Sequence, residues 1–187
     1  MTIEQLRITA FCVYLCSWII LGTAAIAGGI PRRQRNAAAS IGMTMPVMVG
    51  MLLQSTAALP ITLSLGDGPL RPRTFELMGT LALAPLAALL FTWALRSVRT
   101  DTETQTLVTG SAYAWLRHPM YLAFLAMLLA TGLLASARLT LVIASALYLA
   151  GCELRIASEE AELHKKFPSD YEQYRLKTRW RYLPGLR

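Results

Sequence analysis

"TLVTGSAYAWLRHPMYLAFLAMLLA", residues 106–130, starts as a polar loop and ends as lipid-soluble helix, with Arg117, His118 and Pro119 at the join. A residue before proline is pushed toward extended backbone, and proline suits the first position of a helix, so the pattern predicts a helix beginning at Pro119. The apolar run continues to Ala135 and resumes from Leu139 to about Cys152, with little more than Ser136, Ala137 and Arg138 between. So tight a connection predicts an antiparallel helical hairpin. Neither half is long for a membrane span, so these helices are expected to be sheltered by protein or to continue out of the lipid through polar turns.

Outward from the hairpin the chain stays apolar. With 55% hydrophobic residues and a mean hydropathy of +0.44, it exceeds what a soluble domain usually buries. Several runs approach the ~20 residues that cross a bilayer as a helix, the form that satisfies its own backbone there. The first extends from about Thr9 to Ile30 and stops at "PRRQR". Ala25 and Ala27 make a signal-peptide cleavage pattern, but Glu4 in the leading segment and the length of the apolar run favour a retained anchor. The second, Ala37 to Leu65, contains Pro46 and Pro60, which predict kinks or a helix end inside it. After the turn-rich "GDGPLRPR", Phe75 to Leu95 makes a third run, interrupted by Pro85. The expected fold is all-α: a polytopic membrane protein of about five transmembrane helices. Residues 1–187 form one integral membrane domain, with three spans in 1–95 and a loop, hairpin and tail in 96–187.

Basic residues collect on the cytoplasmic side of short loops. With the N-terminus outside, the inner segments hold Arg32, Arg33, Arg35, Arg96, Arg99, Arg117, Arg155, Lys165, Lys166, Arg175, Lys177, Arg179, Arg181 and Arg187, leaving only Arg7, Arg71, Arg73 and Arg138 outside. This predicts a cytoplasmic C-terminus and accounts for most of the +7 charge. Distribution by membrane side, without a nucleic-acid module, argues against a nucleic-acid partner. Cys12, Cys16 and Cys152 lie in or beside apolar spans without metal-binding spacing, so they read as small packing residues and no metal is expected.

The chemistry falls to two polar segments. At the start of the fourth helix, unpaired backbone N–H groups and the positive end of the dipole favour an anion, with Arg117 and His118 beside them. Alternatively, both side chains snorkel to headgroups while Tyr113, Trp115 and Tyr121 form an interfacial belt. At the far end of the hairpin, "YLAGCELRIASEEAELHKKFPSDYEQY" puts Arg155 and Glu159 on one helix face and Glu160 on a neighbouring one. A plain salt bridge is one reading. The other follows from the hairpin, which returns this end to the side where Pro119 begins, so that His118 and Glu159 face one cavity as opposite poles suited to a zwitterion.

At these residues the sequence resembles the isoprenylcysteine carboxyl methyltransferase family, in the wider group of membrane methyltransferases that includes phospholipid N-methyltransferases. "TLVTGSAYAWLRHPMY" is similar to the family's L-V-T-x-x-x-Y-x-x-x-R-H-P-x-Y signature, and "EEAELHKKFPSDYEQY" with "RWRYLPG" to its E-E, F-G-x-x-Y-x-x-Y and L-P-G pattern. One departure is Phe167–Pro168 where the family has F-G, so the turn before the tail is expected to differ. The resemblance implies a cytoplasmic S-adenosylmethionine pocket in the C-terminal half, at Gln105, Thr106, Leu107, Val108, Tyr113, His118, Pro119, Met120, Tyr121 and Glu159, with Leu107 and Val108 acting through backbone groups. It also implies that Arg155 orients the carboxylate of a lipophilic acceptor, either a small molecule or a prenylated partner, met in the lipid bilayer. A phospholipid or other amine N-methyltransferase is the enzymatic alternative, and a non-catalytic lipid-binding or assembly protein the alternative of another class.

Overall fold

The computed structural model describes residues 2–28, 45–64, 72–100, 106–183 and 185. Among them every regular element is helical: α1 (Ile3–Gly28), α2 (Met45–Leu63), α3 (Thr74–Thr100), α4 (Pro119–Leu134), α5 (Arg138–Lys166) and α6 (Pro168–Lys177), with a 3-10 turn at Ser111–Ala114 before α4. Four of these, α1, α2, α3 and α5, are long and apolar enough to cross a membrane, and α4 is a shorter apolar helix. The polytopic all-α fold is thus as expected, with four full-length spans and one short one.

α4 shows how a short apolar helix can be kept in such a fold. Its 16 residues reach only about 24 Å at 1.5 Å per residue, less than the hydrocarbon thickness. Eleven of them are buried, because α1, α2, α3 and α5 all pack against it. Along one flank, Leu77, Ala84, Ala87 and Phe91 of α3 and Leu6, Ala10, Tyr14 and Leu21 of α1 meet Ala123, Met127, Ala130 and Leu134. Along the other, Ala57 and Ile61 of α2 and Ala144, Tyr148, Cys152 and Ile156 of α5 meet Tyr121, Leu125 and Leu128. Small side chains on both flanks let van der Waals packing hold helices that lipid does not drive together.

Element ends differ from the hydropathy reading in instructive ways. α1 begins at Ile3, six residues before the apolar run, since Thr2 and Gln5 exchange hydrogen bonds at its start. Pro46 lies in the first turn of α2, where its missing N–H is harmless, and Pro60 falls inside the helix. The part of that expected span before Met45 lies outside the described residues, as do most of the "GDGPLRPR" loop and the "PRRQR" cluster. α5 runs well past Cys152 to Lys166, continuing out of its apolar stretch as a polar helix.

Two crossings fix the frame. Gly50 of α2 and Gly151 of α5 meet backbone to backbone: a Cβ on Gly50 would stand 2.8 Å from the Gly151 carbonyl and 2.6 Å from Arg155 Cγ. At the hairpin end, buried Glu76 accepts from Arg73 N–H (2.6 Å), Ser136 Oγ (2.8 Å) and Arg138 Nε and Nη2 (2.9 and 2.8 Å), tying the start of α3 to the α4–α5 turn. A carboxylate this buried is tolerable only because each oxygen is answered by donors and an opposite charge.

Candidate functional site

The other end of α4 carries the signature residues. His118 is its N-cap, with φ −131° and ψ 62°, and Pro119 its first residue, as the sequence predicts. Phe167 and Pro168 start α6 with nearly the same backbone, φ −133° and ψ 63° at Phe167. The departure from the family's F-G is therefore resolved by using proline as a helix opener. Arg117 and His118 run alongside the tail: Arg117 N–H donates to the Trp180 carbonyl (2.9 Å) and His118 N–H to that of Arg181 (2.7 Å).

Both readings of Arg117 give way here. Its side chain is buried, donating from Nε to Glu160 Oε1 (2.9 Å) and from Nη1 to the carbonyls of Thr178 (2.8 Å) and Arg179 (3.0 Å). It neither snorkels to headgroups nor waits for an anion; it pins the tail across the mouth of α4.

His118 is also buried, with Nδ1 3.5 Å from Glu159 Oε2 and Nε2 3.3 Å from Glu160 Oε1. Burial opposes protonation, but hydrogen bonds and charge from the two carboxylates outweigh it, holding the imidazole above its ordinary range. Glu159 further accepts from the Tyr121 hydroxyl (2.5 Å) and lies 3.5 Å from Arg155 Nη2. The opposite poles anticipated at His118 and Glu159 are thus real neighbours, and Arg155 and Tyr121 complete the cluster.

Arg155 is held on three sides. Nη1 donates to Gln54 Oε1 of α2 (2.7 Å), the guanidinium carbon sits 5.2 Å from the centre of the Tyr121 ring, and Glu159 stands at Nη2. Its Nε is buried with no hydrogen-bond partner among the described residues. Behind the cluster, Arg181 bridges Glu153 (2.8 Å) and Glu160 (3.4 Å), while buried Tyr182 donates to Glu153 (2.8 Å). Among the described residues, three arginines, Arg117, Arg155 and Arg181, together with the His118 imidazole, thus face three carboxylates, Glu153, Glu159 and Glu160.

A cavity of about 370 Å³, which none of the cluster's charged residues lines, separates the 106–114 loop from α6; its lining is Thr106, Leu107, Thr109, Ala114, Asp170, Gln173, Tyr174, Lys177 and Thr178. The Tyr113 carbonyl accepts from the Tyr174 hydroxyl (2.8 Å), fixing the loop to α6. Burial, reinforced by the charge of Glu159, pushes the Tyr113 phenol up, so it stays neutral.

The structure therefore gathers His118, Tyr121, Arg155 and Glu159 in one cluster, brings Tyr113 within the field of Glu159, and places Thr106 and Leu107 on the cavity. Val108 is half-buried, Pro119 opens the helix, Met120 packs against the α1–α3–α4 core, and Gln105 lies outside the described residues. Sequence reasoning missed Gln54, Glu153 and Arg181 and set Glu160 aside. Gln54 had one signal, an amide inside an apolar run, and Glu160 another, its place in the E-E pair.

Compared with known proteins, residues 78–165 match the family model described as the isoprenylcysteine carboxyl methyltransferase (ICMT) family. No curated protein matches the chain significantly. The matched stretch starts in α3, takes in the whole of α4 and ends in the last turn of α5, so it contains His118, Tyr121, Arg155, Glu159 and Glu160. This match, over a stretch that holds the signature residues, supports membership of the isoprenylcysteine carboxyl methyltransferase family.

Proposed function

We propose that the protein transfers a methyl group from S-adenosylmethionine to the carboxylate of a lipophilic acceptor of the isoprenylcysteine type. The observation that carries the reading is Arg155: a guanidinium on α5, held by a neutral amide, with a buried Nε donor that has no partner among the described residues. A planar guanidinium suits a carboxylate because its donors present to two oxygens at once.

The residues present also fit the cofactor. His118 and Glu159 offer opposite charges to a zwitterion, and the cavity at Thr106 and Leu107 lies along the loop that leads to His118. Glu159, 26% exposed, would meet the cofactor's ammonium, and the 106–108 backbone and Tyr113 its remaining polar and apolar parts. When bound, the cofactor supplies a methyl group already activated on a sulfonium, so no protein nucleophile is needed. The chain's part is to orient and partly desolvate the acceptor, effects worth ~7–11 kcal/mol in favourable cases. A carboxylate acceptor is ionised at neutral pH and needs no base. An amine acceptor does need one, and the carboxylates here are engaged: Glu159 by Tyr121, His118 and Arg155, and Glu160 by Arg117, His118 and Arg181. We place the site on the cytoplasmic side, following the basic residues, with the acceptor arriving from the bilayer and the cofactor from water.

Purified protein incubated with radiolabelled cofactor and an N-acetylated S-prenylcysteine, or with native lipid extract, should yield a base-labile methyl ester. An alkali-stable methylamine as the only product would overturn the carboxylate assignment in favour of N-methylation.

A further inference from the structure

We infer that Gln54 of α2 is a positioning residue for the acceptor's carboxylate, acting through Arg155; the inference rests on the reading of Arg155 given above. Gln54 lies outside the matched residues 78–165 and no motif includes it. It reaches Arg155 because the Gly50–Gly151 crossing brings α2 and α5 into backbone contact one turn away. The sense of its amide is set by chemistry: a guanidinium only donates, so Oε1 faces Arg155 Nη1 at 2.7 Å, and Nε2 turns to Cys152 Sγ at 3.3 Å.

Two consequences follow from the neutrality of that amide. It fixes one end of the guanidinium, and the Tyr121 ring at 5.2 Å fixes its face, so Nε, and Nη2 with Glu159 3.5 Å away, are held in one orientation. It also does this without cancelling the charge. A carboxylate at the same place would form a close ion pair with Arg155 and compete with the acceptor. Glu159, the only carboxylate recorded against Arg155 among the described residues, stands off at 3.5 Å and divides its oxygens with Tyr121 and His118. Gln54 is thus the partner that orders Arg155 while leaving it cationic.

The test uses two substitutions that keep the side chain's length, Gln54→Glu and Gln54→Met, in the full chain in detergent or nanodiscs. Readouts are KM and kcat for an N-acetylated S-prenylcysteine, together with calorimetric cofactor affinity. Gln54→Glu should raise the acceptor KM by about tenfold or more with cofactor affinity unchanged, and Gln54→Met should lower kcat/KM by about tenfold, the loss of one hydrogen bond to a charged group. Should Gln54→Glu fail to fold, Gln54→Met alone decides. Wild-type KM and kcat in the variants, or a fall in cofactor affinity matching the fall in kcat/KM, would show a packing role and overturn the inference while the carboxylate reading stands. If the wild-type protein makes no base-labile ester, that reading falls first, before any variant is assayed, and takes the inference with it.

Discussion

Arg155 meets Gln54, Tyr121 and Glu159 with three different parts of one planar group, so its shape matters as much as its charge. Arg155→Lys keeps the charge as a point and removes the fork. Losing a charge-assisted hydrogen bond costs about 1.5–3 kcal/mol, so turnover should fall roughly ten- to a hundredfold with cofactor affinity little changed. The converse is expected on the other side of the cluster: His118→Ala and Glu159→Gln should weaken cofactor binding in calorimetry while the protein remains inserted. Unchanged affinity in both would move the cofactor away from these residues. His118 adds a pH signature. Its folded form holds the proton above the ordinary value of 6.5, so its contribution to stability is complete below that value and is lost as pH rises through the raised one. The unfolding temperature in detergent should therefore decline from about pH 6.5 upward, and His118→Gln should flatten that decline.

Among the elements, the crossing of α2 over α5 has the least room. A Cβ on Gly151 would stand 2.7 Å from the Gly50 carbonyl and 2.9 Å from Gln54 Cγ, so backbone as well as side chain must yield. Gly151→Ala should destabilise by about 1–3 kcal/mol and reduce turnover with it, because the same shift displaces Gln54 from Arg155. A variant that kept the wild-type unfolding temperature and activity would refute the close crossing. The helices themselves were legible in the sequence wherever a local rule acted: Pro119 opening α4, or the three-residue turn at Ser136 making the hairpin. The end of α5 was not, because hydropathy stops at Cys152 whereas helix-forming residues in "EEAELHKK", with Glu159 and Glu160 tied to α4 and the tail, keep the helix going to Lys166. The site divides the same way. His118, Arg155 and Glu159 were legible through motif and helical spacing. The commitments of Arg117 to Glu160 and of Arg155 to Gln54 span 43 and 101 residues of chain, and no periodicity reports which of several polar groups a buried arginine will choose.

At the scale of the whole molecule, the two ends of the α4–α5 hairpin differ in charge as well as chemistry. Around its turn stand Arg73, Glu76, Ser136 and Arg138, a compact cluster in which Glu76 is tied to both arginines. Around its open end stand Arg117, Arg155, Arg175, Lys177, Arg179 and Arg181, with the signature residues between them. Positive residues are retained on the cytoplasmic side, so this asymmetry predicts a bundle with the hairpin turn outside and α6 inside. The proposed reaction, with a water-soluble cofactor and a lipid-soluble acceptor, would require that arrangement, with the 106–114 loop and α6 toward the aqueous side. Ser136, in the turn, and Ser169, in the first turn of α6, report the two faces. With the native cysteines replaced, Ser136→Cys should react with an impermeant maleimide in intact cells, and Ser169→Cys should react only after permeabilisation. Labelling of both from outside would place the site across the membrane from the cofactor supply, and the proposed reaction would fall with the topology.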